Sequence, residues 1–358
     1  MKIIIASGGT GGHLYPAVRV AEALSKEGHS VVFIGAFSSS KEYLEGKGYP
    51  LINLDLKGLN YRNIKEAIIA CFLTARAFFI SLGLIRNIKP EVVAGFGGYG
   101  SFAVVLAAKA LGKRVLIHEQ NVKPGRANRI LSFMADKIAM SFSDTFKYVP
   151  KKNAILTGCP IHAYRTGLKR AELLRKYNLA EGIPVMLVFG GSQGSNSVNK
   201  AFTRACELLK GNRPFQVVHI CGNNGFEDLN DFYKGLGIRY SLFKFVDNMG
   251  EAFEIADLAV ARSGALSVTE IAFFRIPAIF IPYPYAGNHQ LANAMVLSEK
   301  GLAFVLEENR MTPEILKDTL LKLLEQSNSA KVRFSAVESF YRPEAALDIA
   351  REIISLAE

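Results

Sequence analysis

Two stretches of this chain follow one pattern: residues 3–12 read IIIASGGTGG and residues 185–194 read VMLVFGGSQG, each an apolar run that empties into a cluster of glycines. After the first cluster the apolar spacing turns helical (Val18, Ala21, Leu24), which describes a strand, a tight turn and a helix N-terminus. Such a turn suits an anion. Its bare backbone N–H groups approach a ligand closely, and the helix dipole adds partial positive charge at the same point.

Two familiar phosphate loops fail against the letters. A P-loop needs Lys and then Ser or Thr after its last glycine, but His13 and Leu14 follow Gly12. A dinucleotide fingerprint needs glycine where Leu14 stands and an acidic residue closing the next strand, where VVFIGA (residues 31–36) has none. A nicotinamide enzyme is therefore not expected. The plain alternative is a strand-to-helix turn without a ligand.

Short apolar runs alternate with helical patterns along the whole chain. Strands are expected at residues 3–6, 30–34, 91–94, 114–118 and 137–140, and again at 184–189, 216–220, 240–245, 258–261, 278–281 and 303–305. That alternation means parallel sheets covered on both faces. A length of 358 residues exceeds what one core usually fills, so two domains are expected. TGCPIHAYRTG (157–167) breaks the pattern, which gives domains at 1–162 and 163–340 and a final helix, 341–358, returning to the first domain. Ligands of doubly wound sheets bind beyond the carboxyl ends of the strands. Two such domains facing one another would make a cleft lined by glycine loops.

The net charge of +11 is confined to the first half. Residues 1–162 hold 21 Lys and Arg against 10 Asp and Glu, while residues 163–358 hold 22 of each. A basic half beside a neutral one suits a polyanion or an anionic membrane surface. No helix-turn-helix or basic-aromatic motif supports nucleic acid. The apolar run begins at Met1-Lys2-Ile3 and feeds the glycine turn, so no signal peptide is expected and the chain should stay in the cytoplasm. Cys71, Cys159, Cys206 and Cys221 are scattered without metal spacing and are read as reduced core or near-core thiols.

Residues 67–85, AIIACFLTARAFFISLGLI, approach a membrane-spanning length but contain Arg76. A central arginine costs about 2.5–3.5 kcal/mol on insertion scales, which argues against spanning. From Lys57 to Pro90 six basic residues face Glu66 alone, and Phe72, Phe78 and Phe79 lie among them. That mixture suits a helix resting on the protein by one side and on acidic lipid headgroups by the other. The alternative is an ordinary buried helix.

In the second half the strand DLAVA runs into Arg262-Ser263-Gly264 and a helix over residues 266–274. Its start exposes unpaired N–H groups, with Ser263, Ser267 and Thr269 as hydroxyl donors, and makes a second phosphate seat. Glu270 is placed to accept hydrogen bonds from vicinal hydroxyls such as those of a ribose, or is a dipole-favoured charge with no ligand. Gln290 and Asn293 stand three residues apart on the next helix. No Asp-x-Asp occurs, so a nucleotide-diphosphate site lacks the usual carboxylate pair for Mg²⁺, and no metal or other cofactor is expected. Leaving-group charge would fall to helix N-termini and neutral donors.

GGTGGHLYPA (8–17), GFGGYGSF (95–102), HEQN (118–121), GGSQG (190–194), RSGALSVTE (262–270) and HQLANA (289–294) stand in order. Together they closely resemble the MurG family of peptidoglycan glycosyltransferases. The resemblance implies a GT-B α/β fold of two Rossmann-like, doubly wound parallel-sheet domains. It implies transfer of N-acetylglucosamine from UDP-N-acetylglucosamine, with inversion, to the C4 hydroxyl of undecaprenyl-pyrophosphoryl-MurNAc-pentapeptide at the cytoplasmic face of the membrane. By the same resemblance His13 and Glu270 are the catalytic candidates, His13 as base for the acceptor hydroxyl; imidazole chemistry near neutral pH suits that task. Thr10, Gly11 and Gly12 would border the sugar and the acceptor diphosphate, and Asn121 would contact the sugar. Ser192 would reach the donor diphosphate, Val246 the uracil through its backbone, Ala265, Leu266, Ser267, Val268, Thr269 and Glu270 the phosphates and ribose, and Gln290 the sugar hydroxyls. Where many members carry Arg after a GNPV-like stretch, this chain has GCPIH, so His162 or the nearby Arg165 would take that place. Rival expectations are a glycosyltransferase acting on diacylglycerol, a UDP-sugar 2-epimerase, and a non-catalytic UDP-sugar sensor.

Overall fold

The computed structural model describes residues 1–37, 40–58, 63–212, 214–285, 287–335 and 341–358. Within it the chain forms two compact units, Met1–Ile161 with Arg342–Glu358, and His162–Tyr341.

The first unit contains the strands β1 (Lys2–Gly8), β2 (Ser30–Ala36), β3 (Leu51–Asn53), β4 (Val92–Gly95), β5 (Arg114–Glu119), β6 (Lys137–Met140) and β7 (Ala154–Leu156). All pair in parallel, in the order β3-β2-β1-β4-β5-β6-β7. The second contains β8 (Val185–Phe189), β9 (Gln216–Ile220), β10 (Tyr240–Phe243), β11 (Leu258–Ala261), β12 (Ala278–Phe280) and β13 (Ala303–Val305), also parallel, in the order β10-β9-β8-β11-β12-β13. Each sheet grows outward from its first strand, then crosses back to grow the other way. The switch points lie between β1 and β4 and between β8 and β11, where doubly wound sheets bind ligands.

Helices α1 (Gly11–Lys26), α2 (Lys41–Gly46), α3 (Ile64–Ile88), α4 (Tyr99–Ala110) and α5 (Arg126–Leu131) belong to the first unit. The second holds α6 (Arg170–Lys176), α7 (Asn196–Leu209), α8 (Phe226–Leu236), α9 (Met249–Ile255), α10 (Ala265–Phe274), α11 (His289–Ser298) and α12 (Pro313–Ser335), while α13 (Ala345–Ser355) packs in the first.

Side chains alternate across a strand, and β1 divides its own between two cores. Ile3 and Ile5 join α1 and the α13 residues Ile349, Ala350 and Ile353, whereas Ile4 and Ala6 join α3, α4 and α5 on the other face. Each fully buried branched side chain contributes roughly 1.5–3 kcal/mol. Lys137 on β6 also bonds Glu352 and, at 2.6 Å, Ser355 Oγ on α13.

Every strand expected from the sequence is present, and two were missed. β3 and β7 are three residues long and lie at the two edges of the first sheet; β12 and β13 are as short and were expected, so length alone does not account for the miss. The reading of α3 as an ordinary buried helix also fails. Only Ala70, Ala77, Ser81 and Ile85 are buried, a seam of small residues with one isoleucine, and Cys71 on the same helix is exposed rather than near the core.

Candidate active site

In the first unit the chain leaves β1 at Gly8 and turns through Thr10, the N-cap of α1. Thr10 makes no side-chain cap; its carbonyl accepts from the backbone nitrogens of His13 and Leu14, both at 3.0 Å. Gly11 and Gly12 open the helix, where N–H groups lack intrahelical partners. The space beside Gly12 is open: a Cβ there would meet nothing within 4 Å.

His13 lies in the first turn of α1, and its ring rests on the loop after β4. Gly97 (φ +84°) and Gly98 (φ +73°) adopt backbone that L side chains rarely take, and a Cβ on Gly97 would sit 3.1 Å from His13 Nδ1. The GFGGYG stretch is therefore a seat for the imidazole of the GGTGGH stretch. Nδ1 lies 3.1 Å from Gln120 Oε1.

HEQN divides its work among four side chains. His118 is fully buried, and desolvation pushes its pKa down to about 4, so it is neutral. Glu119 accepts from the backbone and amide nitrogens of Asn121 (2.8 and 3.2 Å), from Gly125 N (3.1 Å) and from Asn128 Nδ2 (2.9 Å). Asn121, assigned to the sugar, thus also braces its own loop. Sequence reasoning missed Gln120 and Asn128. Asn128 is 3% exposed, and its Oδ1 has no hydrogen-bond partner among the described residues.

In the second unit the GGSQG loop follows β8 and leads to α7. Gly190 and Gly194 are needed for close approach, since a Cβ at either would lie 2.3 Å from backbone atoms of Ser195 or Cys221. Ser192, at the loop tip, is exposed. Arg262, after β11, ties this loop to its neighbours. Its Nε donates to Ser195 Oγ (3.1 Å), Nη2 to Ser197 Oγ (2.7 Å), and Nη1 to the carbonyls of Ile281 (3.0 Å) and Pro282 (3.1 Å). Nη1 also lies 2.8 Å from Glu308 Oε2, an ion pair without an aligned hydrogen bond. Nothing in a single Arg-Ser-Gly turn announces this brace, because its partners come from three separate segments.

The first turn of α10, Ala265 to Val268, follows Gly264, which offers no side-chain cap. Val268 N donates to Gly264 O at 3.0 Å, and the N–H groups before it remain available to an anion. Two hydroxyls expected to face a phosphate donate to carbonyls instead: Thr269 Oγ1 to Ala265 O (2.9 Å) and Ser263 Oγ to Gln290 O (2.8 Å). Ser267 and Leu266 are half-buried on that turn. Glu270 is 8% exposed and accepts from the backbone nitrogens of Ala163 (3.1 Å) and His162; burial outweighs these bonds and raises its pKa to about 7. Gln290 Oε1 accepts from Tyr283 N at 3.0 Å, and Val246 is half-buried in the loop between β10 and α9.

The two candidates for the family arginine separate. His162 meets Glu270 through its backbone nitrogen. Arg165 lies 5.2 Å over the rings of both Phe273 and Phe274 and donates to Phe273 O, at the C-terminal end of α10. A cation there is favoured by the dipole and the ring faces, but it is roughly 15 Å along the helix from the N-terminus of α10. Among the described residues no group of His, Cys, Asp or Glu is arranged to hold a metal ion.

On the outside of the first unit, α3 exposes Ile64, Ile68, Ile69, Phe72, Phe79 and Ile80, with Phe72 at 67% and Phe79 at 69%. Lys65, Arg76, Arg86 and Lys89 are exposed with them, while Arg62 of the same basic run lies outside the described residues. By length and composition α3 could cross a membrane. Ile130, Phe133 and Met134, at and just beyond the end of α5, are exposed as well, a second apolar group that sequence reasoning missed. Both α3 and α5 pack on α4.

Residues 3–140 match the Glycosyltransferase family 28 N-terminal domain and residues 185–348 the Glycosyltransferase family 28 C-terminal domain. The chain is 36% identical over 341 residues to a protein of Halothermothrix orenii named UDP-N-acetylglucosamine--N-acetylmuramyl-(pentapeptide) pyrophosphoryl-undecaprenol N-acetylglucosamine transferase, covering 91% of this chain and 90% of that one. The crystal structure of MurG from Acinetobacter baumannii superposes with a TM-score of 0.79 at 28% identity, covering 99% of each chain. A UDP-GlcNAc 2-epimerase from Neisseria meningitidis superposes with a TM-score of 0.72 at 13% identity, covering 99% of this chain and all of that one, a likeness of fold alone. The chain belongs to glycosyltransferase family 28, and within it to the MurG family.

Proposed function

We propose that this protein is an inverting N-acetylglucosaminyltransferase that moves the sugar of UDP-N-acetylglucosamine to the C4 hydroxyl of MurNAc on an undecaprenyl-pyrophosphoryl-pentapeptide acceptor. The observation that carries this reading is that both switch points, β1/β4 and β8/β11, open onto helix N-termini. One presents His13, the other the uncapped start of α10. The His13 imidazole takes the proton of the acceptor hydroxyl as its oxygen attacks the anomeric carbon, and UDP departs. The N–H groups of Gly264 to Ser267 and the Ser192 loop take up the charge on the leaving diphosphate, with no metal required.

In this reading residues 1–162 with the final helix handle the acceptor and residues 163–340 the donor; 336–340 lie outside the described residues. Thr10, Gly11 and Gly12 border the acceptor diphosphate, Asn121 and Gln290 the sugar, Val246 the uracil and Glu270 the ribose. Opening the Glu270 carboxyl toward two ribose hydroxyls requires it to exchange its backbone partners at residues 162 and 163. The exposed apolar stripe of α3, with Arg76 inside it, rests on the anionic cytoplasmic leaflet where the acceptor resides.

The test is transfer of labelled N-acetylglucosamine from its UDP form to a short-chain lipid acceptor, with and without chelator. Transfer that persists in chelator is expected. Epimerisation of the donor without transfer, or UDP binding without turnover, would instead support the epimerase or sensor readings.

A further inference from the structure

We infer that Gln120 is a positioning residue that fixes His13 in the tautomer protonated on Nδ1, leaving the Nε2 lone pair to receive the acceptor's proton. This rests on the reading of His13 as the base. The two ends of a glutamine amide are told apart by their partners, and here the partners allow one assignment. One end lies 2.9 Å from Phe96 O and 3.1 Å from His118 Nδ1. A carbonyl oxygen only accepts, so this end is the NH₂ group. Its two hydrogens are matched by two acceptors, Phe96 O and His118 Nδ1.

His118 must then carry its proton on Nε2, which lies 3.2 Å from Gly158 O, another pure acceptor. Burial keeps this ring neutral and so able to accept on Nδ1. The other end of Gln120 is therefore oxygen, 3.1 Å from His13 Nδ1, and an oxygen there requires a proton on that nitrogen. Rotating the amide by half a turn would set two carbonyl oxygens 2.9 Å apart in a site where Gln120 is 2% exposed. Gly97 and Gly98 lie beside the ring, where a side chain at either would crowd it.

Catalytic histidines are commonly oriented by a carboxylate, which also stabilises the imidazolium. The nearest carboxylate in sequence is Glu119, but its oxygens are taken by Asn121, Gly125 and Asn128. Gln120 supplies orientation without charge. Gln120, next to Glu119, is thus the residue in contact with His13.

The experiment is ¹⁵N-histidine NMR of the full chain, with His13→Ala to assign the signal, alongside kinetics of Gln120→Leu and Gln120→Glu. Expected are an Nδ1–H pattern for His13 in the wild type, loss of that preference in Gln120→Leu with kcat lower by roughly 10- to 100-fold and KM for the UDP sugar within about twofold, and its retention in Gln120→Glu, where a buried carboxyl protonated toward Phe96 O keeps its other oxygen facing Nδ1. An Nε2–H pattern in the wild type, or an unchanged pattern in Gln120→Leu, overturns the inference. Should Gln120→Leu not fold, the wild-type and Gln120→Glu spectra decide it. If His13→Ala keeps full kcat, the base reading fails while the spectra still judge Gln120.

Discussion

The Glu270 carboxyl accepts a hydrogen bond from the backbone nitrogen of Ala163 at 3.1 Å, across 107 residues of chain, in a position where it is 8% exposed. Its pKa of about 7 exceeds the ordinary value of 4.5 because burial disfavours the charged form more than the backbone bonds favour it. A carboxyl whose folded pKa is raised stabilises the fold fully below pH 4.5 and loses that contribution as pH rises to about 7. The loss is about 3 kcal/mol. His118 and His219, with pKa values lowered to about 4 and about 3 by burial, act in the opposite sense as pH falls below 6.5. Comparing wild type with Glu270→Gln isolates the carboxyl. The unfolding free energies of the two proteins should diverge between pH 4.5 and 7 in favour of Gln and run parallel above that; parallel curves throughout would exclude a buried, titrating Glu270.

Gly97→Ala tests the seat beneath His13. Its φ of +84° strains any L side chain, and the added Cβ lies 3.1 Å from the imidazole. A stability loss of about 1–2 kcal/mol is expected from the backbone alone. Turnover should fall while UDP binding, measured by calorimetry, stays within about twofold. Weakened UDP binding would mean that the loop after β4 serves the donor.

Arg262→Leu removes the brace between the GGSQG loop, the segment after β12 and Glu308. A buried guanidinium with this many partners leaves several of them unpaired when it is lost, at a cost of about 3–5 kcal/mol. Chemical denaturation should show that drop, and KM for the UDP sugar should rise, since the loop bearing Ser192 loses its tie through Ser195. Unchanged KM would separate the brace from donor binding.

Phe72→Glu with Phe79→Glu tests the outer face of α3. Both rings are about two-thirds exposed, so unfolding should change by less than about 0.5 kcal/mol each. Flotation with liposomes containing anionic lipid should drop sharply, whereas the wild type should float better with anionic than with neutral lipid. Indifference of the wild type to lipid charge would argue against docking through this face.

The amino-acid order carried the architecture because its signals are local. Apolar runs, glycine clusters and helical spacing each span fewer than a dozen residues, so IIIASGGTGG, VMLVFGGSQG and the intervening runs sufficed for two parallel sheets and for the loops at their switch points. The three-residue edge strands β3 and β7 escaped that reading, although β12 and β13, of the same length, did not. Which side chains meet was settled by strand order and burial, and no spacing rule reaches that far. His13 and Gln120 are brought together because β1 and β5 flank β4, the strand whose following loop seats the ring. Arg262 finds Ser195 because β11 pairs with β8. Glu270 was placed on its helix and Arg165 in the break between the domains from the letters, but a buried carboxyl and a cation stacked at the far end of α10 are consequences of packing, which sets desolvation and partners only once the chain has folded.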